Sequence, residues 1–278
     1  MRNIRIVCDS SSDITALEKV EYAYSPMKII TSDMEFVDDA RLDVCGMRKF
    51  FEVYKGKSKT SCPNVSDWIE AFEDADDVIC LAITSALSGS YNSACLAKQE
   101  YEAAHDGRRV FVLDTLSAGP EITLAIRKLE EYISEGLEFE DICYKIKYYM
   151  ENTGLVFMLK SLRNFANNGR VSPLVAQIVG IAGICIVGRA SDIGTLEPIH
   201  KCRGESRSLA ALVCDLEKSG LRGGRVSIGH CGNETAAEKL SDMLRERFGE
   251  IEIEIHALRG LCSFYAEEGG LLVGFEKR

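Results

Sequence analysis

Three serines and one glycine follow directly after an apolar run that ends at Ile83: Ser85, Ser88, Gly89 and Ser90. Six consecutive apolar or small residues at 78–83 are typical of a strand buried on both faces of a parallel sheet, and residues 92–101 favour a helix. A loop between such a strand and helix lies beside free helix N–H groups, which attract anions, and serine hydroxyls add donors. The pattern therefore indicates an anion site. Serine and glycine are also ordinary cap and turn residues, so a purely structural loop is the alternative.

Polar residues also follow two other predicted strands. Residues 4–7 read as a buried strand and are followed by Asp9 and Ser10, either of which would also serve as a simple helix cap. The strand predicted at 109–113 is followed by Asp114. A further hydroxyl pair, Thr60 and Ser61, stands before a Cys-Pro sequence that suits the start of a helix at 65–73.

These segments, taken in order, resemble the DegV family of bacterial fatty-acid-binding proteins. The resemblance is carried by strand then Asp-Ser-Ser-Ser-Asp, a Thr-Ser-x-Pro turn, and strand then Leu-Ser-Gly-Ser-Tyr. It implies that Thr60 and Ser88 bind a fatty-acid carboxylate. Ser61 and Gly89 would lie at the same place, and four residues would support the site from behind: Asp9, Ser10, Ser85 and Asp114.

The C-terminal segment departs from the family pattern. Such chains usually carry His-Thr-Gly-x-Gly before the last strand, and here Tyr265 stands where the histidine is expected. Tyrosine can donate a hydrogen bond but does not titrate near neutral pH. Glu267 and Glu268 nearby would oppose a bound carboxylate. Because Tyr265 stands at the position of the family's histidine, the resemblance implies that its hydroxyl joins the carboxylate site.

Two arginines are candidates for contacts with the ligand head group or with a partner protein. Arg170 matches a Gly-Arg turn of the family, although a solvated turn arginine would give the same sequence. Arg203 corresponds to a recurrent basic residue of the family. Its neighbours Lys201 and Arg207 favour a plain basic surface instead.

Repeated strand, turn and helix units up to about residue 155 predict an α/β fold with a Rossmann-like parallel-sheet lobe at 1–155. The later pattern predicts a smaller α+β lobe at 156–278, and the resemblance implies a ligand tunnel between the two lobes. A buried helix is predicted at 174–182. No G-x-G-x-x-G or P-loop sequence is present, so nothing indicates a nucleotide site.

Composition excludes several classes of function. The formal charge of −10 opposes extended contact with nucleic acid or an anionic membrane surface. Eleven cysteines without a C-x-x-C pair, and no export signal, predict a reduced cytoplasmic protein without a zinc or disulfide framework. No apolar run is long enough to span a bilayer. No cofactor and no metal site are expected.

The resulting expectation is a non-catalytic carrier. By resemblance, it would bury a long-chain fatty acid and present the carboxyl group to a separate ATP-dependent fatty acid kinase, which forms an acyl phosphate for phospholipid synthesis. Two alternatives stay open at this point. One is an enzyme of unknown type that uses the serine-rich strand ends, and the other is a sensor or carrier for a different amphiphile.

Overall fold

The computed structural model of the chain describes residues 2–171 and 183–277. Thirteen strands are present in this part of the chain: β1 (Ile4–Asp9), β2 (Glu21–Ser25), β3 (Lys28–Thr31), β4 (Glu35–Val37), β5 (Ser58–Ser61), β6 (Asp77–Ala82), β7 (Arg109–Asp114), β8 (Thr153–Leu159), β9 (Ile184–Ala190), β10 (Leu196–Arg203), β11 (Gly224–His230), β12 (Ile251–Ala257) and β13 (Leu271–Glu276).

Nine α-helices lie within the same described residues: α1 (Val44–Val53), α2 (Val65–Phe72), α3 (Ser90–Ala104), α4 (Pro120–Ser134), α5 (Phe139–Glu151), α6 (Arg163–Asn167), α7 (Glu205–Lys218), α8 (Glu234–Phe248) and α9 (Gly260–Ala266). A short 3-10 turn, Ser10–Ser12, follows β1. No helix among them is long and apolar enough to cross a bilayer.

A four-stranded parallel sheet forms the N-terminal half, in the order β2-β1-β6-β7. Every residue of β6 is buried, because this central strand is covered on both faces. One face packs on α4 and α5, and the other packs on α2 and α3 around Trp68. The carboxyl ends of β1, β6 and β7 therefore meet at one edge, where their polar residues converge.

A six-stranded mixed sheet, in the order β10-β9-β8-β13-β11-β12, forms the second half. One face buries an apolar core against α7 and α8. The other face contacts α4, where Gly274 lies so close to Pro120 and Glu121 that a Cβ there would be 2.5 Å from their backbone. A small antiparallel sheet, β4-β3-β5, completes the fold and pairs Thr60 with Ile29.

The α/β class and the parallel sheet followed by a second sheet confirm the predicted fold. The predicted strands at 4–7, 78–83 and 109–113 and the predicted helices at 65–73 and 92–101 are present within three residues of their expected ends. Two elements that bear on the site were not predicted: β5, which contains Thr60, and α9, which contains Tyr265. The sequence also predicts one strand over residues 24–30, but the structure divides this stretch between β2 and β3, which belong to different sheets.

The helix predicted at 174–182 lies outside the described residues. The predicted division of the chain at residue 155 remains a prediction. In the structure β8 begins at Thr153 and belongs to the six-stranded sheet.

Candidate functional site

A cavity of about 290 Å³ lies between the carboxyl edge of the parallel sheet and the six-stranded sheet. Its lining is largely apolar and includes Met27, Ile83, Leu116, Leu155, Phe157, Leu159, Phe165, Leu196, Leu261 and Leu272. The lining also contains the predicted residues Thr60, Ser61, Ser88, Gly89 and Tyr265, and three further hydroxyl residues, Thr84, Ser117 and Thr195. Among the lining residues that the structure describes, Arg170 is the one charged side chain. The cavity thus combines an apolar interior with a small polar region.

Thr60 and Tyr265 are joined directly. The Thr60 Oγ1 and the Tyr265 hydroxyl oxygen are 2.8 Å apart, although the two residues are 205 positions apart in the chain. Because each hydroxyl both donates and accepts, one of the pair can donate to the other and keep a lone pair available. The second hydroxyl then has its hydrogen free to donate to a ligand oxygen. The pair is therefore suited to an anionic or carbonyl oxygen.

Helix α9 holds Tyr265 in place through its N-terminus. The buried carboxylate of Asp38 accepts the N–H groups of Gly260 (2.9 Å) and Leu261 (2.8 Å), which have no partner within the helix. The Tyr265 ring packs on Phe165, with 4.6 Å between ring centroids. Burial raises the pKa of the Tyr265 phenol above its usual range, opposed by the hydrogen bond with Thr60. Tyr265 is therefore a neutral hydrogen-bonding group throughout the physiological range.

The loop between β6 and α3, residues 83–89, contains Ser85, Ser88 and Gly89 and is called the serine loop below. It is organised by Asp9, which is fully buried at the end of β1. Its Oδ2 accepts the Ser90 hydroxyl at 2.6 Å and the Ile83 N–H at 3.0 Å, and its Oδ1 accepts from Ser11. Burial raises the pKa of this carboxyl, and the bonds from Ser11 and Ser90 oppose the increase. Asp9 does not line the cavity but fixes the start of α3 and with it Ser88 and Gly89.

The other predicted supporting residues also lie behind the cavity wall. Ser10 accepts the N–H of Met27 at 3.0 Å and so connects β1 to a lining residue. Asp114, at the end of β7, accepts the N–H groups of Ser85 and Leu116, both at 3.1 Å. Ser85 itself is exposed. These contacts order the two loops that lead into the cavity.

The two candidate arginines lie in different places. Arg170 lines the cavity, and its guanidinium donates to the carbonyl of Leu87 (2.7 Å) and to that of Asn168 (2.6 Å). Arg203 is an exposed residue at the end of β10, paired in register with Ile184, and is not among the residues that line the cavity. The structure therefore brings Arg170 to the hydroxyl groups and leaves Arg203 on the surface.

Glu267 and Glu268 do not face the cavity, contrary to the expectation that they would oppose a bound carboxylate. Glu268 pairs with Arg48 at 2.5 Å. The Glu267 carboxylate accepts the backbone N–H of Asn164 at 3.0 Å and lies 3.6 Å from Arg163. Their charges are directed at other elements, because α9 ends at Ala266 and the chain turns away there.

Two thiols also line the cavity, Cys62 and Cys262. Burial raises the pKa of both, so they remain protonated near neutral pH. None of the four histidines is among the lining residues that the structure describes. Within those described parts of the chain, no group of three or more His, Cys, Asp or Glu residues could hold a metal ion.

Comparison of the whole sequence with known proteins identifies its family. The model of the DegV family, described as an uncharacterised protein family, matches residues 3–278. A DegV domain-containing protein of Streptococcus pneumoniae is 41% identical over 276 residues, which is 98% of each chain. The chain belongs to the DegV family.

Solved DegV structures are closely similar. The Streptococcus pneumoniae Fatty Acid Kinase (Fak) B3 protein, loaded with linoleic acid, is 40% identical, with a TM-score of 0.97 over 99% of this chain and 100% of that one. A DegV family protein of Eubacterium eligens, loaded with heptadecanoic acid, is 40% identical with a TM-score of 0.96 over the same shares. A Thermotoga maritima protein described as revealing fatty acid binding is 26% identical with a TM-score of 0.88 over both whole chains.

Sequence reasoning missed Phe165 and the contacts of Glu267 in this DegV protein. Phe165 stands five residues before Arg170, in a stretch (residues 162–166) whose pattern predicts only a short helix. A lone aromatic residue next to a Gly-Arg turn is a weak signal, because its stacking on Tyr265 depends on a contact 100 residues away.

Proposed function

We propose that this protein is a non-catalytic, cytoplasmic carrier of a long-chain fatty acid. The carboxyl group would lie beside Thr60, Ser88, Tyr265 and Arg170, with Ser61 and Gly89 adjacent. The acyl chain would lie among the leucines and phenylalanines of the cavity. The observation that carries the proposal is the composition of the described cavity wall: it is largely apolar, and it contains one charged side chain, Arg170, and the hydrogen-bonded hydroxyl pair of Thr60 and Tyr265.

Magnitudes support this division of roles. Burial of roughly 14 methylenes at about 0.8 kcal/mol each contributes on the order of 11 kcal/mol before the costs of association. A hydrogen bond to a charged group contributes about 1.5–3 kcal/mol. The apolar wall therefore supplies most of the affinity, and the polar residues chiefly orient the carboxyl group.

The proposed partner is a separate ATP-dependent fatty acid kinase. That enzyme would transfer the terminal phosphoryl group of ATP to a carboxylate oxygen of the bound acid, releasing ADP and leaving an acyl phosphate. Two observations support a presenting role rather than catalysis by this chain. Both cavity thiols are neutral, and the hydroxyls of Thr60 and Tyr265 bond to each other instead of to a general base. We include Arg203 as a contact with this partner because it is exposed at a strand end.

Mass spectrometry of the purified protein tests the proposal. Under native conditions we expect an added mass equal to a long-chain fatty acid, and after denaturation the unmodified chain mass with free acid released. A matched sample of Leu261→Arg protein, which places a charge in the apolar wall, should carry much less acid. Delipidated wild-type protein that takes up no long-chain acid would contradict the proposal, and a mass adduct that survives denaturation would indicate covalent chemistry instead.

A further inference from the structure

Glu267 has a backbone conformation that residues other than glycine rarely adopt. Its φ is 53° and its ψ is 174°, directly after the last residue of α9. Strain of this kind persists only where surrounding contacts hold it, and it concentrates at ligand sites. A glycine would adopt the same conformation without strain. The glutamate side chain must therefore make contacts that offset the strain.

Those contacts are all directed at α6. The Glu267 carboxylate accepts the Asn164 N–H at 3.0 Å, and its other oxygen is 3.6 Å from the Arg163 guanidinium. Its side chain is only 11% exposed, so solvent screens these contacts weakly. Asn164 in turn donates its side-chain amide to the carbonyl of Phe264 at 2.7 Å. Helices α6 and α9 are thus joined by two hydrogen bonds that Asn164 donates, one from its backbone and one from its side chain.

The segment held in this way carries two residues of the cavity wall. Phe165 packs on Tyr265 at 4.6 Å, and its carbonyl accepts the backbone N–H of Arg170 at 2.8 Å. The Arg170 side chain then reaches the carbonyl of Leu87 in the serine loop. The position of the one charged side chain in the described wall therefore depends on where α6 is held.

We propose that Glu267 is a positioning residue for the head-group end of the cavity: by accepting the Asn164 N–H it sets the segment 163–170, and so places Arg170 beside the ligand carboxyl and Phe165 against Tyr265. The inference rests on the proposed function for the identity of the ligand. It assigns Glu267 a role through other residues, without contact with the ligand.

The test compares Glu267→Gly with Glu267→Gln. The glycine variant relieves the backbone strain but removes the acceptor, whereas glutamine keeps an acceptor oxygen without the charge. The matched control is Glu268→Gln, which removes the neighbouring ion pair with Arg48 and leaves α6 untouched. One measurement is a carbon-13 titration of linoleic acid labelled at its carboxyl carbon and bound to each full-length protein. The other is hydrogen exchange of residues 163–170 without ligand.

In Glu267→Gly we expect the bound carboxyl to become half-protonated about one pH unit higher than in the wild type, because a displaced guanidinium no longer stabilises the carboxylate. Amide exchange at Asn164 should accelerate at least about tenfold. Glu267→Gln and Glu268→Gln should both resemble the wild type. An unchanged titration in Glu267→Gly, or an equal change in Glu267→Gln or Glu268→Gln, would overturn the proposal. If the wild type bound no acid, the proposed function would fail, while the exchange measurement would still decide whether Glu267 holds the segment.

Discussion

Replacing Tyr265 by histidine should make fatty acid binding depend on pH, whereas the wild type should show little dependence between about pH 5.5 and 7.5. Burial raises the pKa of the Tyr265 phenol, so it stays neutral over this range. An arginine guanidinium carries its charge at any pH in this range. The polar end of the wild-type cavity therefore keeps the same charge while the pH changes.

The size of the effect follows from the surroundings of residue 265. Burial and the nearby Arg170 both disfavour a charged imidazole, so the pKa of the histidine introduced by Tyr265→His should lie about one unit below 6.5 without ligand. A bound carboxylate reverses this, because a hydrogen bond to a charged partner contributes about 1.5–3 kcal/mol. The imidazole takes up a proton on binding, so affinity rises as the pH falls. A pKa that moves from about 5.5 to about 7 on binding gives roughly tenfold tighter binding at pH 5.5 than at 7.5.

The assay is calorimetric titration of delipidated wild type, Tyr265→His and Tyr265→Phe with one fatty acid at several pH values. Ionisation of the free acid affects all three proteins equally, so ratios of affinity isolate the effect of residue 265. Tyr265→Phe keeps the packing on Phe165 and should be as insensitive to pH as the wild type. A wild-type affinity that changed severalfold through pH 6.5, or a Tyr265→His protein without pH dependence, would refute the reasoning.

Three other predictions concern the residues proposed to bind the carboxyl group and the buried Asp13. Thr60→Ala and Ser88→Ala should each weaken the contact with the carboxyl group by about 1.5–3 kcal/mol, while most of the bound lipid is retained. The rate of acyl phosphate formation with a cognate kinase should therefore fall more than the lipid occupancy measured by mass spectrometry. A loss of occupancy with normal reaction of the remaining lipid would contradict this. Arg170→Met should weaken binding of a fatty acid about tenfold but leave binding of the matching fatty alcohol unchanged, and equal loss for both ligands would argue against a charge contact. Burial raises the pKa of the Asp13 carboxyl to about 8, and its Oδ2 has no hydrogen-bond partner among the residues that the structure describes. The same carboxyl loses its proton near pH 4 in the unfolded chain. The free energy of unfolding should therefore fall as the pH rises from about 4 to 8, and this group contributes up to about 1.4 kcal/mol per pH unit. Asp13→Asn should show a smaller decline in thermal unfolding scans, because Asp9 and other buried carboxyls with a raised pKa still contribute; parallel curves for the two proteins would refute the assignment.

The central strands β6 and β7 were predictable because each contains a continuous apolar run that is followed by polar residues. β6 reads as buried in the sequence and is buried at every position. The meeting of Asp9 with Ser90 follows from the same rule, since carboxyl ends of parallel strands share an edge. In contrast, β5 reads Ser-Lys-Thr-Ser, which has no apolar pattern, and forms because β3 offers it a pairing edge.

Helix α9 was missed for a related reason. It contains only seven residues, two of which are glycine and serine, and its N-terminus is satisfied by Asp38, more than 220 positions earlier. Contacts of such range leave no local signal in the sequence. The same holds for Glu267, whose acidic character predicts repulsion of the ligand although its carboxylate accepts the Asn164 N–H on α6. Residue types at the site were thus predictable, and the direction in which side chains point was not.

The wall of the cavity draws on residues from Met27 to Leu272, which lie near opposite ends of the chain. A partially synthesised or partially folded molecule therefore has no complete binding site. A ligand that fills the cavity therefore binds only the completely folded protein. Its binding adds RT ln(1 + [L]/Kd) to the free energy of unfolding. Molecules made when lipid is scarce would lack this added stability and would be degraded by proteases more readily. The abundance of such a protein in a cell would then follow the supply of its lipid.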